Sequence, residues 1–336
     1  MTDPLIKSKL HPPFTRLKLV PRPRLQEQIR EGLRGPLTLI TAPAGFGKTT
    51  LIASFIADYE FPIAWLSLDK DDNRAGRFLN YVIAALQAVE HRIGHEAAQF
   101  MTASPNTHAE AVVTSLTNDL DTFGNEITLV LDDYHVISNQ SVHATVAFLL
   151  EYCPTTFHLV IVSRSDPPLP LGRLRACAQM IELRTADLSF TEREAAQFLN
   201  DIMGLHLDAA SIAMLEARTE GWIAGLQMAA LSIRGRQDVL GFIEDFSGTN
   251  RHVMDYLLEE VLVREAKEVQ SFLLQTSILT RLTGPLCDAM LGTSNSQEII
   301  ENLEKRNLFV VPLDDERIWY RYHHLFADLL QARLRQ

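Results

Sequence analysis

The 336 residues predict an α/β domain on a five-stranded parallel sheet, then an all-α domain, then a winged-helix domain. Three observations carry this. Short β-rich apolar runs alternate with longer helical stretches from residue 36 to about residue 185. The strand signal stops after Leu188, and the final segment runs helix, helix, helix, hairpin.

The strands come first in the argument because their branched apolar runs are the clearest. They are expected at Pro36–Thr41, Pro62–Leu68, Ile127–Leu131, Phe157–Val162 and Met180–Leu183. Between them, apolar residues spaced three and four apart predict helices at Lys48–Tyr59, Arg77–Val89, Ala109–Thr122 and Gln140–Tyr152. Pro154 and the run Pro167, Pro168, Pro170 mark breaks. Thr191 and Glu194 have capping-box spacing and open a helical series reaching about Ser277. At the end, helices at Ala266–Ser277, Pro285–Leu291 and Ser296–Arg306 lead into a hairpin, Phe309–Leu313 and Ile318–Tyr322, joined by an Asp314-Asp315-Glu316 turn. The expected domains are 1–187, 188–264 and 265–336, with no internal repeat and no low-complexity tract.

Composition narrows the class. With 46 % apolar and 22 % charged residues the chain reads as globular and not as disordered or fibrous. Apolar runs are too short for a membrane helix, and the start lacks the apolar core of a signal peptide, so a cytoplasmic location without membrane contact is expected. Cys153, Cys177 and Cys287 form no metal-ligand spacing and are expected as buried reduced thiols. The net charge of −11 argues against broad nucleic-acid binding. Its distribution is uneven. Residues 1–35 hold eight basic side chains, Arg16 among them, against three acids including Asp3, leaving 23 basic and 39 acidic residues for the remainder. That basic arm reads equally as a solvated strap or as a contact for a polyanion such as a nucleotide. The paired acids Asp71-Asp72 and Asp314-Asp315 read as solvated turns, and His91, His95, His108, His158 and His206 lack ligand spacing.

The strongest chemical signal is Ala42-Pro-Ala44-Gly45-Phe46-Gly47-Lys48-Thr49-Thr50, which follows a strand and opens a helix. Glycines let backbone N–H groups turn inward around phosphates, the helix N-terminus adds its dipole, Lys48 reaches the β- and γ-phosphates, and the Thr49 hydroxyl coordinates Mg²⁺. Ala42 stands where the generic pattern has glycine. The third strand delivers Asp132 and Asp133 to its C-terminal end, where open α/β sheets bind ligands. Asp132 is the candidate Mg²⁺ ligand, and Asp133 the group that orients or deprotonates a water attacking the γ-phosphate. Arg164, after the fourth strand, is the candidate γ-phosphate sensor.

These residues, with Lys9-Leu-His-Pro-Pro13, Val20-Pro-Arg22-Pro-Arg-Leu25, Trp65-Leu-Ser-Leu-Asp69, Asp72-Asn73, Ser163-Arg-Ser-Asp-Pro167, Asp187-Leu-Ser-Phe190, Glu220-Gly-Trp222 and Tyr322-His-His-Leu-Phe326, give the chain its resemblance to the ATPase module of MalT-like, LuxR-type large transcriptional regulators. The resemblance covers nearly all 336 residues. It implies a P-loop NTPase domain, a helical lid domain and a winged-helix domain folded around ADP at rest. ATP would replace ADP, the module would open and self-associate, and slow ATP hydrolysis would reset it. Carried over by residue, Val20 and Arg22 would lie at the adenosine, Ala44 to Thr50 and Arg164 at the phosphates, Thr49 and Asp132 at Mg²⁺, and His323 at the ADP β-phosphate. His324 would then be a surface or helix-capping residue. Related switches place a G-x-P proline on adenine, whereas here Gly221-Trp222-Ile223 has none, and Trp222 reads as core filler. Inducer and DNA would be reached only through C-terminal domains outside these residues, and the end inside a helical pattern, Leu325–Leu334, reads as a truncation.

A competing reading is an AAA+ or origin-recognition-like ATPase that touches DNA with its winged helix. The hairpin, with Arg317 and Arg321 against Asp314, Asp315 and Glu316, disfavours it. A small-molecule phosphotransferase would leave the two later domains unexplained.

Overall fold

The computed structural model describes residues 4–14, 18–59, 62–103, 109–236 and 238–336; Asp3, Arg16 and His108 lie outside them. The chain divides into two compact units. The first comprises residues 1–17, 22–41 and 48–187, and the second residues 18–21, 42–47 and 188–336.

The first unit is an α/β layer structure. After a 3₁₀ turn at Lys7–Leu10, α1 (Pro23–Gly32) opens on a proline at its first turn. Then follow β1 (Leu37–Thr41), α2 (Lys48–Ala57), β2 (Ile63–Ser67), a 3₁₀ turn at Lys70–Asn73, α3 (Ala75–Val89), α4 (His95–Ala103) and α5 (Ala109–Phe123). The unit continues with β3 (Ile127–Asp132), a 3₁₀ turn at Tyr134–Val136, α6 (Gln140–Tyr152), β4 (Phe157–Ser163), α7 (Leu171–Ala176), β5 (Met180–Leu183) and α8 (Thr185–Leu188). All five strands pair in parallel in the order β2-β3-β4-β1-β5. Every residue of β1, β3 and β4 is buried, because helices cover both faces of a parallel sheet. The order matters for chemistry, since β4 lies between β1 and β3 and the loops leaving all three strands open at one end of the sheet.

The second unit is helical. It contains α9 (Glu192–Ala196), whose Thr191–Glu194 capping box is formed, a π-helical turn at Gln197–Ile202, α10 (Ala209–Thr219), α11 (Ile223–Ile233), α12 (Val239–Asp245) and α13 (Arg251–Glu260). The winged-helix order follows: α14 (Lys267–Thr276), α15 (Gly284–Leu291), α16 (Ser296–Lys305), then β6 (Val310–Pro312) paired antiparallel with β7 (Tyr320–Tyr322), and α17 (His324–Leu334). Leu325, Phe326, Leu329 and Leu330 line the buried face of α17 at helical spacing. Among the described residues no helix is long and apolar enough to cross a membrane.

Three expectations need correction. Asp72 is not a solvated turn residue but fully buried, accepting bonds from Lys9 Nζ and, at 3.1 Å, from Arg77 Nε. Lys9 is likewise buried, bonded to Asp69 at 3.0 Å and lying 4.2 Å from the Tyr81 ring centroid. That part of the basic arm is therefore neither solvated nor open to a polyanion, because its charge is matched inside the fold. Of the thiols, only Cys287 is buried, while Cys177 at the end of α7 is exposed.

Candidate functional site

The chemistry gathers at the C-terminal ends of β1, β3 and β4. In the first unit α2 begins at Lys48, which is buried. Thr49 Oγ1 donates to Asp132 Oδ1 at 3.0 Å, and the Asp133 backbone N–H donates to the same oxygen at 3.0 Å. Burial drags the Lys48 ammonium down to about 8, with the Arg164 guanidinium adding to the effect and Asp133 and Asp132 opposing it. Asp132 is pushed up to about 6 by burial and by the Asp133 charge, against the Thr49 hydrogen bond. A buried ammonium with a guanidinium nearby is a pair of cations whose natural ligand is a phosphate oxygen. Thr49 and Asp132 offer only oxygen donors one hydrogen bond apart, the donor chemistry that a hard divalent cation takes. Thr50 is exposed, Arg164 half-buried, and Asp133 half-exposed.

Arg22 is buried, and its Nη2 donates to the Asp187 carbonyl at 3.3 Å, as Arg24 Nη2 does at 2.8 Å. Val20 is half-buried in the second unit. A residue that sequence reading missed also belongs to this end of the sheet. Arg184, just after β5, donates to Thr41 Oγ1 at 2.6 Å, and its Nη1 and Nη2 both bond Asp166, two residues after Arg164. Its guanidinium thereby ties the strand leading into the phosphate loop to the loop that carries Arg164. Its place at a strand's C-terminal end was the available signal.

The front of the phosphate loop, Ala42–Gly47, clusters with the second unit. Gly45 and Gly47 have φ of +82° and +73°, the left-handed region where glycine is favoured. A side chain on Gly45 would meet Ala224 Cβ at 2.6 Å and Trp222 Nε1 at 2.7 Å. The Ala224 backbone N–H donates to the Gly45 carbonyl and Trp222 Nε1 to the Ala44 carbonyl, each at 3.0 Å. Trp222 is thus more than filler: fully buried, it packs on Tyr256, Phe309 and His323 and holds the loop by its one polar atom. Phe46 meets Phe309 at 6.5 Å in the same cluster.

His323 is buried and precedes α17, while His324 is exposed. Its Nε2 lies 3.0 Å from the Thr219 carbonyl, which can only accept, so Nε2 carries the proton. Nδ1 is buried without a hydrogen-bond partner among the described residues. Burial holds the imidazole below its ordinary range, against the nearby Glu220 charge. Burial acts to raise Glu220, but the Arg321 fork at 2.8 and 2.7 Å and the His323 and His324 contacts bring it down to about 2. A cavity of about 470 Å³ lies elsewhere, at the N-terminal ends of β1 and β4 among Arg34, Pro36, Phe148 and Phe157.

Comparison with known proteins finds relatives over nearly the whole chain. Residues 258–336 match the MalT winged helix domain family. Over 333 residues, 98 % of this chain, the sequence is 35 % identical to the HTH-type transcriptional regulator MalT of Yersinia pestis. The chain is MalT-like. It is also 34 % identical over 336 residues, 99 % of its length, to the serine/threonine-protein kinase PknK of Mycobacterium tuberculosis. The MalT-like chain spans about a third of these relatives, 36 % and 30 % of their lengths. Among solved structures, a Signal Transduction ATPase with Numerous Domains protein from Pyrococcus horikoshii aligns with TM-score 0.45 and 16 % identity, over 95 % of this chain and 43 % of that one.

Proposed function

We propose that this MalT-like chain is an adenine-nucleotide switch, holding ADP at rest and ATP when active, and hydrolysing ATP slowly. The observation that carries the reading is the convergence of buried Lys48 and Asp132 with half-buried Thr49 and exposed Asp133 where β1 and β3 end. Lys48 would bind the β- and γ-phosphate oxygens, and the N-terminus of α2 would add its N–H groups. Thr49 and Asp132 would hold Mg²⁺, which when bound screens the phosphate charge. Asp133 would orient the attacking water and accept its proton, and Arg164 would bond the γ-phosphate as long as it is present. Arg22 and Val20 would border the adenosine, and His323 the β-phosphate of ADP.

Against a DNA-acting ATPase, both hairpin arginines are already matched by acids: Arg321 by Glu220, and Arg317 by Glu304 at 3.5 Å. Asp314 accepts from the Ile318 and Trp319 N–H groups at 2.9 and 3.0 Å, so the hairpin tip is built on a carboxylate.

The deciding experiment is thermal unfolding with and without Mg·ADP. Binding to the folded state alone should raise the melting temperature, by about 2.7 kcal/mol of stabilisation at a hundredfold excess over Kd. Lys48→Ala should abolish the rise. No rise in the wild-type chain, or an undiminished one in Lys48→Ala, overturns the assignment.

A further inference from the structure

We infer that Asn73 is a positioning residue for Asp133, holding the loop that aims the water-activating carboxylate; the inference rests on the nucleotide-switch reading. Asp133 has φ 58° and ψ 35°, the left-handed region, which a residue with a side chain occupies at a cost of about 1 kcal/mol or more. Such a conformation persists only where the surroundings impose it. Among the described residues the Asp133 backbone N–H reaches Asp132, and His135 Nδ1 lies 3.7 Å from the Asp133 carboxylate. The constraint comes from the residues after it. The Asp133 carbonyl accepts from Val136 N–H at 3.1 Å, closing the 3₁₀ turn Tyr134–Val136.

That turn is held by the buried Tyr134, whose hydroxyl lies 3.0 Å from His143 Nδ1, and is fastened from outside by Asn73. Asn73 Nδ2 donates to the Val136 carbonyl at 2.8 Å and to the Lys70 carbonyl at 3.0 Å. Asn73 Oδ1 accepts from Ser138 N–H at 2.6 Å, Ser138 Oγ at 3.2 Å and Asn139 N–H at 3.0 Å. Asn139 Nδ2 returns a bond of 2.7 Å to the Asn73 carbonyl. Both ends of the amide are used, and every partner beyond Lys70 lies within six residues of Asp133. Asn73 is itself fixed, because it ends the 3₁₀ turn whose Asp72 is buried against Lys9 and Arg77. An apolar residue here would free the Val136 carbonyl and two N–H groups together and release the turn that keeps Asp133 left-handed. A misplacement of an ångström at a water-orienting group slows the chemical step while leaving phosphate contacts intact.

The test is single-turnover hydrolysis of Mg·ATP by the full chain, with Mg·ATP and Mg·ADP affinities measured in parallel, for wild type, Asn73→Ala, Asp133→Ala and the double variant. Asn73→Ala should slow hydrolysis about tenfold or more while both affinities stay within about twofold. In the Asp133→Ala background the same change should cost less than about twofold, since the carboxylate it positions is gone. Asn73→Asp keeps the acceptor for Ser138 and Asn139, so its rate should lie between wild type and Asn73→Ala; it also serves if Asn73→Ala fails to fold. Slow Asp133→Ala with a wild-type rate in Asn73→Ala overturns this inference alone, as does an equal loss in both backgrounds. No hydrolysis by the wild-type chain, or a wild-type rate in Asp133→Ala, overturns the reading of the site and this inference with it.

Discussion

Charged residues inside the first unit show how much one side chain decides. Asp72 is fully buried between the Lys9 ammonium and the Arg77 guanidinium. Removing it leaves Lys9 buried with the half-exposed Asp69 as its remaining carboxylate among the described residues, an under-compensated charge of the kind that costs several kcal/mol. Asp72→Ala should therefore destabilise the chain by about 3 kcal/mol in urea unfolding. A loss under about 0.5 kcal/mol would mean that the residue is effectively solvated. The sequence offered no sign of this burial, because two adjacent acids before a helix have the pattern of an exposed turn. Lys48, Thr49, Asp132 and Asp133 were legible because their spacing relative to strands is itself the chemical requirement. The contacts of Asn73 with Val136, Ser138 and Asn139 and of Arg184 with Thr41 were not, since those partners lie 63 to 66 and 143 residues away.

At the scale of elements, the five strands were legible within one or two residues, because runs of branched apolar residues in a covered sheet admit few other readings. Helices at His95–Ala103 and Leu171–Ala176 were not foreseen. The second is six residues long, too short for periodicity to register. β4 holds a buried histidine that spacing could not reveal. His158 bonds the Gly35 carbonyl through Nδ1 and lies 3.0 Å from Thr38 Oγ1 through Nε2. Burial pushes it down to about 4 despite the Gly35 bond. The folded state thus resists a proton that the unfolded chain takes up near its ordinary value of 6.5. The stability this confers is fully present above that value and is lost as pH falls toward the folded-state value. Between pH 7.5 and 4.5 the loss attributable to His158 should be about 2.5 kcal/mol. His158→Gln should lack that component, so the urea midpoint of the variant should fall less steeply across the interval. Parallel pH profiles for the two proteins would refute the assignment.

For the molecule as a whole, the second unit carries the feature most relevant to the proposed switch. His323 packs against Trp222 and Phe309, and the loop residues Ala44 and Gly45 are bonded to Trp222 and Ala224 in the same unit. With Nε2 committed to Thr219, Nδ1 can donate to a phosphate only as the imidazolium, so engaging the ADP β-phosphate would take up a proton. His323→Ala should weaken ADP about tenfold and ATP less, and wild-type ADP affinity should fall as pH rises from 6 to 8. Paired calorimetric titrations measure both; equal losses for the two nucleotides would leave His323 a structural residue. What the sequence by itself determined was the parallel sheet, the helical and winged-helix order, and the loop and carboxylates at the strand ends, because these follow from local periodicity and spacing. Tertiary structure alone decided which polar groups were buried and by whom they were matched: Lys9 by Asp72, Thr41 by Arg184, the Asp133 turn by Asn73, the Ala44 carbonyl by Trp222. The physical reason is that a buried polar group must find a partner wherever the fold brings one, and that distance along the chain carries no record of the choice.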